Sequence, residues 1–211
     1  MPMHHPESRP TVGGRFDRWT PAALAVAWAA VVAVAVVGRL WRPEWQGVRL
    51  WNVTPFVAVA LAAGTLFANR LVAAAVPLVA LSIGNLALPG YDNPWMTAVV
   101  YAATAFPVVF GDLLRRGRWP AVVQGALAGS LVFFFVTNAA HWALTADYPR
   151  TAAGFVACLA AGLPFVRPLE DLAWTGIVFG GLAVAERIGA AIAAREAVPV
   201  PAAAAAAGRL D

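Results

Sequence analysis

Residues 125–142, GALAGSLVFFFVTNAAHW, decide the fold, and Tyr148-Pro149-Arg150-Thr151 follows close behind. The stretch is apolar enough to cross a bilayer as a helix, because roughly 20 such residues at about 1.5 Å each match the hydrocarbon core. Gly125 and Gly129 stand four apart, the small-xxx-small spacing that lets two helix backbones approach in lipid. Ser130, Phe134, Thr137 and His141 follow at spacings of four, three and four, so they share one helical face, with Asn138 beside it. At about 100° per residue that face lies well away from the glycines. One side reads as a packing seam, the other as a polar and aromatic wall. Polar groups in hydrocarbon are costly unless satisfied, so the wall faces protein, water or a ligand rather than lipid. Bonds to neighbouring helices are the plain alternative to a ligand.

Composition extends this reading to the whole chain. At 211 residues, 61% hydrophobic, with mean hydropathy +0.69, it is not an ordinary soluble domain. Several apolar runs reach or approach the length of a membrane span, which makes it a polytopic α-helical membrane protein. The basic residues are all arginine and lie at the ends of apolar runs, where they set topology and meet anionic headgroups. No nucleic-acid partner is therefore read from the net charge of +4. The single cysteine, Cys158, excludes an intrachain disulfide and a Cys-x-x-Cys redox pair. His4-His5 in a polar tail is too thin a pair for a metal site. No metal or cofactor is expected.

The expected fold is all-α, with six transmembrane helices and a short interfacial or re-entrant helix before the last span. Residues 1–20 form a flexible cytoplasmic tail. Residues 21–196 form one transmembrane domain, and 197–211 a disordered, alanine-rich tail. The spans run over about 21–40, 54–67, 71–88 and 94–114, from 120, and from 168. Pro77 lies inside the third and is expected to kink it. The run at 151–165, between Thr151 and the Pro164 region, is the short helix. The last span carries Gly176 and Gly180, a second small-xxx-small pair. Trp41, Trp45 and Trp51 crowd the first connection; they suit a membrane–water interface or a lid over a pocket.

Six spans put both termini on one side. With the N-terminus in the cytoplasm, Arg9, Arg15, Arg18, Arg70, Arg115, Arg116, Arg118, Arg187, Arg195 and Arg209 fall inside. Arg39, Arg42, Arg49, Arg150 and Arg167 fall outside. This bias follows the positive-inside rule. In that orientation Asn52, Thr54, Ser82, Asn85, Tyr91, Trp95, Tyr101, Asn138, His141, Trp142, Asp171 and Trp174 all reach the outer half. Convergence of polar and aromatic groups from several spans builds a pocket open to the outside. Aromatic belts and helix caps are the alternative account of each residue singly.

At residues 133–138 (FFFVTN), at Tyr148-Pro149-x-Thr151 and at Gly162-Leu163-Pro164-Phe165 before a last helix with Asp171, the chain resembles a bacterial integral-membrane family of unknown function. Asn52-Val53-Thr54-Pro55 and Cys158 fit the same pattern, and the resemblance covers about residues 50–182. More distantly, six spans and a Leu-Pro-Phe element entering the last helix resemble the S components of energy-coupling-factor transporters. That resemblance implies residence in the bacterial cytoplasmic membrane and an outward-facing pocket for a small organic molecule. Its implied partners are a transmembrane coupling subunit and ATPases. Ala23-x-x-x-Ala27 and Ala29-x-x-x-Ala33 match the docking pattern of such proteins, as any alanine-rich helix can.

The first functional expectation is thus a substrate-binding transport subunit. Asn85, Asn138 and His141 orient polar substrate atoms, Trp95, Tyr101 and Trp142 stack on a ring, and Trp41, Trp45 and Trp51 close the entrance. The chain has no GxxxxGK[ST] phosphate loop, so energy comes from partners. The second is a structural subunit of a larger membrane complex, with the glycine pairs as seams against other subunits. An enzyme is not expected: about 11 helical residues hold Ser130 and His141 roughly 16 Å apart, beyond hydrogen-bond reach.

Overall fold

The structure is a computed structural model that describes residues 19–41, 44–45, 48–49, 54–88, 90–116, 119–166 and 168–196. The two expected tails lie outside the described residues, apart from Trp19 and Thr20. Helix α1 spans Pro21–Leu40, α2 Phe56–Leu66, α3 Arg70–Ala87, α4 Pro94–Ala105, α5 Gly111–Arg116, α6 Trp119–Leu144, α7 Ala152–Gly162 and α8 Pro168–Glu196. Strands β1 (Glu44–Trp45) and β2 (Val48–Arg49) make a two-residue antiparallel ladder between α1 and α2.

Helix starts follow side-chain capping of otherwise unpaired N–H groups. Thr20 Oγ1 accepts from the Ala23 amide at 3.2 Å, with Pro21 at the first helical position. Asn69 Oδ1 accepts from Leu71 and Val72, Asn93 Oδ1 from Trp95 and Met96, and Thr151 Oγ1 from Gly154. The caps at Asn69, Asn93 and Thr151 each close a short connection between two apolar runs.

Five helices among the described residues are long and apolar enough to cross a membrane: Pro21–Leu40, Arg70–Ala87, Pro94–Arg115, Trp119–Leu144 and Pro168–Arg195. The expected second span is different in kind. Helix α2 has 11 residues, about 16 Å of helix, roughly half the thickness of a hydrocarbon core. It is the centre of the bundle, with Ala58 through Ala63 wholly buried. Small side chains let α1, α3, α6 and α8 close around it. Length and composition thus support five spans, and the sixth expected span is this short interior helix. The short helix expected before the last span is α7, followed by a 3-10 turn over Leu163–Phe165.

Pro107 has no N–H to give the helical ladder, and the chain from α4 tightens there into a 3-10 turn over Phe106–Phe110 before resuming as α5. This turn brings α5 backbone onto α2 backbone. A Cβ added at Gly111 would collide with the Gly64 backbone, and one at Gly64 would sit 2.5 Å from Val108 O. Nearby, Arg115 donates from Nε to Thr65 O at 2.8 Å and from Nη2 to Gly64 O at 3.0 Å. These carbonyls belong to the last turn of α2, where no intrahelical donor remains and cations are favoured. Arg70 adds a bond to Val108 O and an ion pair to Asp112, both at 2.5 Å. A guanidinium clamp therefore closes one end of the bundle.

Candidate functional site

The other end of the bundle holds a cavity of about 350 Å³. It is lined from α1 by Arg39, from the start of α2 by Thr54, Phe56 and Val57, and from α3 by Leu81. Met96, Val100 and Thr104 of α4 contribute, with Tyr91 from the preceding turn. Helix α6 supplies Ser130, Phe133, Phe134, Thr137, Asn138 and His141, the turn after α7 Phe165 and Val166, and α8 Asp171. Ser130, Phe134, Thr137 and His141, the shared face read from their spacing, all line it.

Most hydroxyl groups on these helices turn back to their own backbone. Thr104 Oγ1 donates to Val100 O at 2.7 Å and Thr137 Oγ1 to Phe133 O at 2.7 Å, while Asn138 Nδ2 donates to Phe134 O at 2.8 Å. Such bonds satisfy polar groups in an apolar setting without a partner helix. Ser130 differs. Its Oγ lies 3.0 Å from Ala126 O and is also hydrogen-bonded to the Asp171 carboxylate of α8. One hydroxyl proton serves two acceptors there.

His141 stands at the rim, its Nε2 2.9 Å from Asp147 Oδ2, with the Tyr148 ring edge-on at 6.1 Å. The loop beyond is knitted to itself. Thr145 Oγ1 reaches His141 O and Asp147, Arg150 donates to Thr145 O at 2.6 Å, and Trp142 Nε1 donates to Pro149 O at 2.9 Å. The Tyr148-Pro149-Arg150-Thr151 motif thus fixes the mouth of the cavity and starts α7.

Of the six residues expected to bind substrate, Asn138 and His141 line the cavity. Asn85 and Tyr101 lie in a network behind Arg39: Arg39 Nη2 donates to Asn85 Oδ1 at 2.7 Å, and Asn85 Nδ2 donates to Tyr101 OH at 3.2 Å. Ser82 Oγ joins that phenol at 3.2 Å. Trp95, at the start of α4, is 72% exposed. Trp142 packs against Phe155 at 5.3 Å and under Arg150 at 5.7 Å. Of the three tryptophans expected as a lid, Trp41 packs edge-on against Trp174 of α8 at 6.3 Å. Trp45 pairs through its backbone with Val48, and Trp51 lies outside the described residues.

The glycine pairs part company. Gly125 lies against Leu61 and Leu114, and Gly129 against Val57 and Pro107, so this pair is a seam inside the bundle. Among the described residues, no atom lies within 4 Å of a Cβ added at Gly176 or Gly180. Sequence reading missed Arg39 as a lining residue and the Ser130–Asp171 pair. An acid in the first turn of an apolar last helix was the available signal for the second. No group of three metal-ligating side chains gathers among the described residues.

These helices and their composition define a multi-pass α-helical membrane protein with a polar and aromatic cavity at one end of the bundle. The chain belongs to a family described as a family of unknown function (DUF6580), whose model matches residues 20–193. Comparison with curated proteins and with solved structures returns no match for the chain.

Proposed function

We propose that the protein is the substrate-binding subunit of a membrane transport system, similar to an energy-coupling-factor S component, with its cavity facing outward for a small organic molecule. The observation that carries the reading is the cavity itself. At about 350 Å³ it falls within the range of small-molecule sites, roughly 300–1,000 Å³. Apolar rings supply its walls, and a few polar groups from α1, α6 and α8 supply orientation. Asn138 and His141 present hydrogen-bonding edges to the ligand, and Asn85 and Tyr101 act through Arg39. The arginine distribution supports placing both termini in the cytoplasm, with short α2 counted as a sixth crossing between the cavity end and the Arg115 end, and the family resemblance supports a bacterial cytoplasmic membrane. Energy comes from a coupling subunit and ATPases, and the chain itself catalyses no reaction.

One observation favours a second reading, a structural subunit of a larger complex. Gly176 and Gly180 open a smooth strip on α8 that no described residue covers. Native mass spectrometry of protein extracted gently from its host membrane separates the two. Retention of a small molecule, with or without ATPases, upholds the transport reading. A stable assembly with other membrane proteins and no small molecule refutes it in favour of the second.

A further inference from the structure

We propose that the molecule taken by this cavity carries a protonated amine, which docks on the carboxylate of Asp171. This rests on the reading of the cavity as a small-molecule site and specifies what enters it. Among the described residues Asp171 is the one carboxylate lining the cavity, and it belongs to a helix long and apolar enough to span a membrane. Its hydrogen-bond partner is the neutral hydroxyl of Ser130. Among the described residues no arginine or histidine lies within ion-pair distance of it.

Half-buried ionisable groups in an apolar cavity are costly and are normally matched by a counter-charge. The first turn of α8 offsets part of the charge, because a helix N-terminus carries only about half a unit of positive charge. Ser130 offsets little more, since its one proton is shared with Ala126 O. A carboxylate has about four lone-pair sites, and Ser130 is the side chain that bonds to Asp171 among the described residues. A cation arriving in the cavity completes the pair.

The surroundings select an organic ammonium over a metal ion. Hard divalent cations want six or more oxygen ligands. Beside Asp171 the cavity offers Ser130 and then the rings of Phe133 and Phe134, which suit an apolar body and attract a cation to their faces. Arg39 lines the same cavity from α1, where its guanidinium is engaged by Asn85 and the Phe56 ring.

The test uses purified full-length protein in detergent and a matched panel: ethylamine, 2-phenylethylamine and tryptamine, with the corresponding alcohols and carboxylates, and sodium chloride. Thermal stability and tryptophan fluorescence report binding to the wild type, Asp171→Asn and Ser130→Ala. Amines are expected to stabilise the wild type while alcohols and carboxylates of equal size do not. Asp171→Asn should weaken amine binding by about tenfold or more, the worth of a charge-assisted bond. Should Asp171→Asn fail to fold, the amine-against-alcohol comparison on the wild type decides alone. Equal binding of alcohols or carboxylates, stabilisation by sodium alone, or an unchanged amine affinity in Asp171→Asn overturns the amine while leaving the cavity reading in place. Failure of every compound to bind, with nothing co-purifying, overturns both.

Discussion

Replacing Arg115 by alanine removes both bonds that the guanidinium makes to the last turn of α2, at 2.8 and 3.0 Å. Hydrogen bonds to a charged group contribute about 1.5–3 kcal/mol each. The Arg115 side chain is 21% exposed, so water reaches the site and replaces part of the loss. The expected destabilisation is about 3 kcal/mol, toward the lower end of two such bonds. For a chain of this size that corresponds to a fall in Tm of roughly 6–12 °C. Arg115→Lys should recover roughly half, because an ammonium lacks the planar fork that reaches two carbonyls together. Asp112→Asn provides the contrast. Its side chain is 61% exposed, and exposed ion pairs contribute about 0–1 kcal/mol, so its Tm should stay near that of the wild type. Size-exclusion chromatography after stepwise heating, with tryptophan fluorescence as readout, gives all three values. If Arg115→Ala melts within about 2 °C of the wild type, or Asp112→Asn is equally harmful, the clamp is not what holds α2 in place.

Gly111→Val should destabilise more than typical overpacking, by about 3 kcal/mol or beyond, because the added carbons meet Gly64 backbone rather than a yielding side chain; a Tm equal to the wild type would disprove the backbone contact. Gly162→Val sets a Cβ 2.5 Å from Asn138 Oδ1 beside the cavity, so it should lower retention of any co-purifying molecule more than it lowers expression; native mass spectrometry against immunoblot yield checks this. Asn138→Ala and His141→Ala should weaken ligand retention more than they reduce folded protein. Equal loss of both would make these residues part of a structural network instead.

Much of the fold is legible in the sequence because a bilayer imposes its own length scale. Apolar runs closed by Thr20, Asn69, Asn93 and Thr151 give the starts of α1, α3, α4 and α7 within a residue or two. Helix α2 departs from its expected role because a hydropathy pattern records how apolar a run is, not whether lipid or protein surrounds it. On the cavity side, helical periodicity makes Ser130, Phe134, Thr137 and His141 one surface. That same periodicity says nothing about which residue of a distant helix meets them. Asp171 approaches Ser130 from α8, and Arg39 reaches the cavity from the end of α1, through tertiary packing alone. Trp142 has the composition of a stacking wall, yet its indole N–H is taken by Pro149 O and its ring by Phe155. An exposed start of α4 places Trp95 on the surface.

The central position of α2 also constrains how the protein is made. Leu61 and Ala62 are covered by Val122 and Ala126 of α6 and by Phe179 of α8, segments synthesised long after α2 leaves the ribosome. At 11 residues α2 is too short to hold a transmembrane position by its own partitioning. A nascent chain halted before α8 would therefore leave the Leu61–Ala62 side of the innermost helix without Phe179, although its contacts with α1 and α3 could already be in place.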